Sequence, residues 1–127
     1  MSEHPHATRY RELSAAMNAG DMSGMDTSIA DDVVWWEIGA ANPVRGKPAL
    51  MERMQAFAGY NIAVDLHDVV ANDDHLVALV SVTATKGESS LTYRTAEIHH
   101  VNQNGQVSER WAFSDDTQAI IDFFGDD

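Results

Sequence analysis

The chain has no cysteine, which excludes disulfides, thiolate nucleophiles and zinc–thiolate centres from the outset. It is also short of positive charge: eight Lys and Arg stand against twenty Asp and Glu, a formal net charge of −12. A surface of that sign repels nucleic-acid phosphates and anionic lipid heads. The basic residues, Arg9, Arg11, Arg45, Lys47, Arg53, Lys86, Arg94 and Arg110, are scattered and form no stripe with aromatics between them. Neither nucleic acid nor membrane is expected as a partner. No apolar run approaches bilayer-spanning length, and the polar stretch from Met1 to Arg11 lacks the apolar core of a secretory signal. Lack of cysteine fits a reducing compartment, so a soluble, cytoplasmic protein is expected.

What is present is a globular chain. Its 127 residues, 44% apolar with three Trp, are enough for one domain, 1–127, that buries a continuous core without metal or disulfide support. The periodicity changes near Val33. Before it, Tyr10, Leu13 and Met17 fall at helical spacing, and Asn18-Ala19-Gly20 ends that helix with a C′ glycine. Asp21 caps a second short helix with Met22, Met25 and Ile29 on its apolar side. Val33 to Ile38 reads as a strand, and Gly39 to Gly46 as a loop. Pro48 suits the first turn of a third helix that carries Leu50, Met51, Met54 and Phe57 on one side. Met and aromatic stripes at this spacing are what core packing requires.

From Asn61 onward the pattern is strand-like: Ile62 to Ala71, Leu76 to Thr85, Leu91 to Val101, and Val107 to Phe113 after the Asn102-Gln103-Asn104-Gly105 hairpin signal. Asp115 or Asp116 caps a final short helix with Ile120, Ile121, Phe123 and Phe124. Three helices with one embedded strand, then a long antiparallel meander, make an α+β domain. Its sheet should curve around the helices as a half-open cone, with a pocket between. The third helix should cover the concave side of the meander and bury Leu50 and Met54.

This order resembles the nuclear-transport-factor-2-like superfamily, in particular its SnoaL-like and ketosteroid-isomerase-like branch. The landmarks are Asn18-Ala19-Gly20-Asp21, Ala30-Asp31-Asp32, Pro43 with Arg45-Gly46, Val70-Ala71-Asn72-Asp73, Gly105-Gln106-Val107, and Trp111-x-Phe113 with Asp115. As an ordered set they span nearly the whole chain. They specify the fold and not a reaction, since this fold hosts isomerases, cyclases, dehydratases, hydrolases and plain binding proteins. Counted from Ala30-Asp31-Asp32, the isomerase's catalytic carboxylate falls on Glu37. Counted back from the hairpin glycine, the protonated carboxyl of its oxyanion hole falls on Glu97. The oxyanion-hole tyrosine of the first helix falls on Leu13, which donates nothing. Loss of one such donor costs roughly a hundredfold in rate, so ketosteroid isomerisation itself is not expected. The acid–base aspartate of the SnoaL cyclase pattern falls on Ala112, which is chemically empty.

Glu37 stands at the end of the apolar run Val33-Val34-Trp35-Trp36. Low dielectric disfavours a charged carboxylate, which is how proteins hold a general base near neutral pH. The competing reading is an exposed charge at the solvent end of a strand. For Glu97 the hairpin register decides. A four-residue loop pairs Val101 with Gln106 and Glu97 with Arg110, so Glu97, His99, Ser108, Arg110 and Ala112 face the cavity. A bulge at Gly105 instead pairs Glu97 with Trp111, and Ile98 and His100 then share a face with Arg110. The first is favoured because it pairs opposite charges. In it, Arg110 either binds a ligand oxygen or forms a structural cross-strand ion pair. Six His residues raise the question of a metal, but His4 and His6 fall in a terminus expected to fray. His67 and His75 flank a turn, His99 and His100 point to opposite faces, and no HExxH motif exists. Neither metal nor cofactor is expected.

The expectation is a pocket for a small, largely apolar organic molecule bearing one carbonyl or acid group. Leu13, Met17, Trp35, Met54 and Ala112 line it, Glu37 acts as the base with Glu97 the other catalytic candidate, and Arg110 or His99 holds the oxygen. The reaction class is proton abstraction beside a carbonyl, or a related isomerisation, cyclisation or dehydration. The alternatives are a non-catalytic binding or dimerisation module of the same fold and, less supported, a nucleocytoplasmic transport factor. Apolar residues on the outer sheet face, Trp111 and Phe113 among them, predict a homodimer.

Overall fold

The computed structural model describes residues 3–21 and 23–124. Helix α1 (Pro5–Asn18) starts on Pro5, whose fixed φ suits a first turn, and His4 Nδ1 accepts the His6 N–H at 3.1 Å. The terminus expected to fray is therefore capped, and His4 Nε2 also meets Asp73 at 2.9 Å. Gly20 takes φ +89° just past the helix, the left-handed conformation that glycine adopts without a Cβ clash. Asp21 accepts the Ser23 N–H at 3.0 Å and opens α2 (Ser23–Ser28). Met22, expected on the apolar side of α2, lies outside the described residues.

Strand β1 (Ile29–Trp35) begins earlier and ends earlier than the predicted Val33 to Ile38. Ile29 is not on a helix face; it and Ala30 are buried at the start of the strand. Within the predicted loop, Val44–Arg45 forms a short edge strand, β2, antiparallel to β1. Helix α3 (Lys47–Gln55) follows. The meander then runs β3 (Asn61–Ala71), β4 (His75–Lys86), β5 (Ser89–Val101) and β6 (Val107–Ser114), and α4 (Thr117–Phe124) closes the chain. Asp116 accepts the Ala119 N–H at 3.1 Å, as a helix cap does. Among the described residues no helix is long and apolar enough to cross a membrane.

The six strands form one curved, open sheet in the order β2-β1-β6-β5-β4-β3, with β1 parallel to β6 and every other neighbour antiparallel. β4 shows the plainest alternation: Leu76, Ala78, Val80, Val82 and Ala84 are all buried on the concave face. Two apolar clusters result. One joins Ala7 of α1 to Val69 and to Leu76, Ala78, Val80 and Val82. The other joins Met25, Ile29, Val33 and Leu50. Helix α1 packs on β3, whereas α3 packs chiefly on β1 and β2. The expectation that α3 covers the meander is thus corrected: it lids the opposite end of the sheet, because β1 inserts beside β6 and carries α3 with it. Leu50 is fully buried there, and Met54 is only partly so. Between the two apolar clusters lie the concave faces of β5 and β6, which carry polar side chains.

Candidate functional site

The β5–β6 hairpin fixes which side chains point inward. Asn102 organises the loop: its Oδ1 accepts the N–H groups of Asn104 and Gln106 at 2.9 and 3.0 Å, and its own N–H donates to the Gln106 carbonyl. With an irregularity between His100 and Val101, the pairs become Val101 with Val107, His99 with Arg110, and Glu97 with Ala112. Neither predicted register holds. From Thr95 to His100 the observed register is offset from the favoured one by two residues, and a two-residue slip keeps every side chain there on its face. Glu97, His99, Arg110 and Ala112 therefore do share the concave side.

Glu97 lies at the centre of a buried cluster. One carboxylate oxygen, Oε1, accepts from the Tyr10 hydroxyl at 3.2 Å and stands 3.0 Å from His99 Nε2. A carboxylate only accepts, so His99 Nε2 carries the proton. Arg110 Nη2 lies 3.6 Å from the other oxygen, an ion-pair contact longer than a hydrogen bond. Burial pushes the Glu97 carboxyl up, but the His99 hydrogen bond, the Arg110 charge and the Tyr10 hydroxyl outweigh it and hold the group at about 2. Tyr10 moves the other way. Burial, then the negative charge and hydrogen bond of Glu97, push its phenol well above the ordinary range. Arg110 is anchored further: its Nη1 donates to the Trp36 carbonyl at 3.0 Å, and its guanidinium lies over the Trp35 ring, 4.6 Å from the centroid. Among the described residues, three buried polar atoms here have no hydrogen-bond partner: His99 Nδ1, Arg110 Nε and Thr95 Oγ1. Buried groups of this kind are normally satisfied.

The remaining predicted residues divide. Trp35 joins the cluster through Arg110. Met17 and Met54 pack on the Met25–Leu50 core. Leu13 packs there too and also borders a small cavity beside His99. Glu37 goes elsewhere. It lies beyond the end of β1, so strand alternation no longer ties it to Trp35. Both its oxygens face Arg53 Nε of α3, at 2.9 and 3.1 Å. The expected lone carboxylate in an apolar pocket is therefore corrected to a surface ion pair, with the Arg53 guanidinium also over the Phe57 ring. Tyr10 is the residue that the sequence reading missed. Alignment to the isomerase tyrosine falls on Leu13, but the hydroxyl stands one turn earlier on the same face. The helical spacing of Tyr10, Leu13 and Met17 already contained that signal.

The cavity beside His99 is about 30 Å³, bordered by α1 and the hairpin. It has room for a water or two and is far below the usual size of an organic ligand site, roughly 300 Å³ or more. A larger groove of about 660 Å³ lies on the convex face, where Asp65, Leu79, Arg94 and Phe113 border it; Thr95 also reaches its lining, but Tyr10, Glu97, His99 and Arg110 do not. Among the described residues no group of three or more His, Asp or Glu side chains is placed to hold a metal ion.

No curated protein matches the sequence. Solved structures do. A protein from a soil-derived mobile gene cassette superposes with a TM-score of 0.81 at 21% identity, over 94% of this chain and 95% of that one. AclR from Streptomyces galilaeus gives 0.74 at 18% identity, over 98% of both chains. An LEH-like epoxide hydrolase from Mycobacterium tuberculosis gives 0.70 at 18%, over 87% of this chain and 82% of that one. Likeness at such identities shows the fold, which is nuclear-transport-factor-2-like. The family model of the SnoaL-like domain matches residues 10–110, a span that holds both Tyr10 and Arg110, and the chain belongs to that family.

Proposed function

We propose that the protein is a small-molecule enzyme that moves a proton beside a carbonyl, with His99 as the base and Glu97 as the group that orients it. The observation that carries this reading is the buried Glu97–His99 pair, whose second imidazole nitrogen, Nδ1, is left without a partner. Glu97 stays ionised and fixes the proton on Nε2, which leaves the Nδ1 lone pair to accept a proton. Arg110 Nε is the free donor for the carbonyl or enolate oxygen that forms. The substrate is a small, largely apolar organic molecule, since Trp35, Leu13 and Ala112 surround the polar groups. Isomerisation, cyclisation and dehydration all begin with this step. Ring opening of an epoxide by water activated on the same dyad is the neighbouring class, in keeping with the name of one similar structure. Glu37 is the second candidate base, and it must first release Arg53.

Exchange of α-protons of a panel of ketones and oxo acids in D2O, followed by proton NMR, tests this. E97Q and H99Q should abolish exchange and E37Q should retain most of it. Exchange that survives E97Q but not E37Q would return the base to Glu37. The rival is a binding module of the same fold; tight ligand binding with no exchange by any variant would establish it.

The proposal includes a homodimer through the convex face. Val70 and Phe113 are 59% and 60% exposed, and Leu79 lies between them in the sheet, paired through Ala96 to Phe113. Such a patch is more apolar than a small monomer usually leaves in water. Light scattering at micromolar concentration should give twice the chain mass, and a monomer there would overturn it.

A further inference from the structure

The cavity between α1 and the hairpin contains a second recognition element. Its border combines apolar side chains, Leu13, Leu76, Val101 and Val107, with Arg9, His6 and His99. In this acidic chain most cations are matched to carboxylates: Arg11 to Glu3 and Asp68, Lys47 to Asp26 and Asp31, Arg53 to Glu37, Arg94 to Asp115, Arg110 to Glu97. Arg9 is not. Among the described residues its polar contact is His6 Nδ1, at 2.5 Å, which must be accepting. The guanidinium rests on the hairpin at Gly105, where a Cβ would come within 2.8 Å of Arg9 Nη1. Gly105 also has φ +77°, a conformation that side chains rarely adopt. The backbone conformation alone calls for glycine here, and its missing side chain leaves Arg9 in contact with the loop. His99, whose buried Nδ1 has no partner among the described residues, borders the same cavity.

From this arrangement we infer that Arg9 recognises the carboxylate of a small organic acid, with a carbonyl-bearing carbon directed at His99. This deepens the proton-transfer reading and rests on it for the role of His99 alone. The cavity itself is water-sized, about 30 Å³, so the ligand must be small, as a short oxo acid is, and must displace part of the wall. Arg9 is exposed, so the cavity wall on that side is a flexible side chain that yields to the ligand. The overall charge of −12 opposes anions. Preference for a charged ligand over its neutral counterpart must then come from a local cation.

The test compares 2-oxobutyrate with 2-butanone at 0.15 M salt, by chemical-shift titration of the His99 ring and the Gly105 amide. The wild-type protein should bind 2-oxobutyrate more tightly. R9Q should weaken it by about tenfold or more, the usual worth of a hydrogen bond to a charged group, and leave 2-butanone unchanged. R9K should recover part of the loss. R45Q, with the same charge change on β2 and outside the cavity, should have little effect. Equal binding of the two ligands, or equal losses in R9Q and R45Q, would overturn the inference. These affinities are read without turnover, so failure of the proton-transfer reading would leave a positive result standing. Failure here would leave the Glu97–His99 dyad untouched.

Discussion

The chain holds two Glu–Arg pairs, one buried between β5 and β6 and one at the surface beyond β1, and the one with the shorter contact is not the one with unusual chemistry. Glu37 and Arg53 meet at 2.9 Å, with the side chains 27% and 45% exposed. Water competes for both charges, so such a pair contributes little, about 0 to 1 kcal/mol. Glu97 and Arg110 are 3.6 Å apart, with side-chain exposures of only 15% and 12%. Burial makes each charge costly unless it is matched, and here the match is shared among Arg110, His99 and Tyr10. Distance measures the quality of one contact, whereas burial and the number of partners decide how far a carboxylate departs from its ordinary behaviour.

Removal of the cation should separate the pairs most. R110M leaves Glu97 buried without its countercharge and should cost about 3 kcal/mol or more in urea unfolding. R53M should cost less than about 1 kcal/mol. Equal losses would erase the distinction. Next in size is E97Q, which should lose about 1–3 kcal/mol at neutral pH and flatten the acid limb of the stability profile. The sign follows from the direction of the shift. Glu97 is held at about 2 when folded, so its contribution is complete above the unfolded carboxyl value of about 4.3 and fades as pH falls toward 2. Y10F should cost about 1 kcal/mol, the worth of one hydrogen bond. Because the Tyr10 phenol is raised, its contribution is complete below about pH 10 and declines as pH rises beyond that. Y10F should remove this alkaline decline, as thermal melts between pH 8 and 11 would show. E37Q is the smallest change, a loss within about 1 kcal/mol. A lone pocket carboxylate would instead have predicted a slight gain on that substitution, so the sign in a denaturant titration separates the two environments.

The sequence made the fold legible because alternation over β3 to β6 is long and turn residues bound each strand. What non-local pairing decides was not legible: β1 starts at Ile29 and stops at Trp35, β2 forms inside the predicted loop, and α3 follows β1 to the opposite end of the sheet. The early end of β1 hid the place of Glu37. The inner set Glu97, His99, Arg110 and Ala112 was readable because face depends on parity. Register was not, since it depends on how Asn102 folds the loop with its own side chain. Tyr10 escaped because position-by-position transfer fixed on Leu13, although helix geometry lets a residue one turn away present the same group. Arg9 over Gly105 could not be read at all, because it depends on where α1 lies against the hairpin.

The carboxyl carbon of Glu97, followed by NMR from pH 7 down to 3, tests the central claim most directly. If Tyr10, His99 and Arg110 hold it as described, its shift stays at the ionised value throughout, because its midpoint lies near 2. A midpoint in the ordinary glutamate range, about 4.3, would show that the three partners do not hold the carboxylate, and the site built on it would fall.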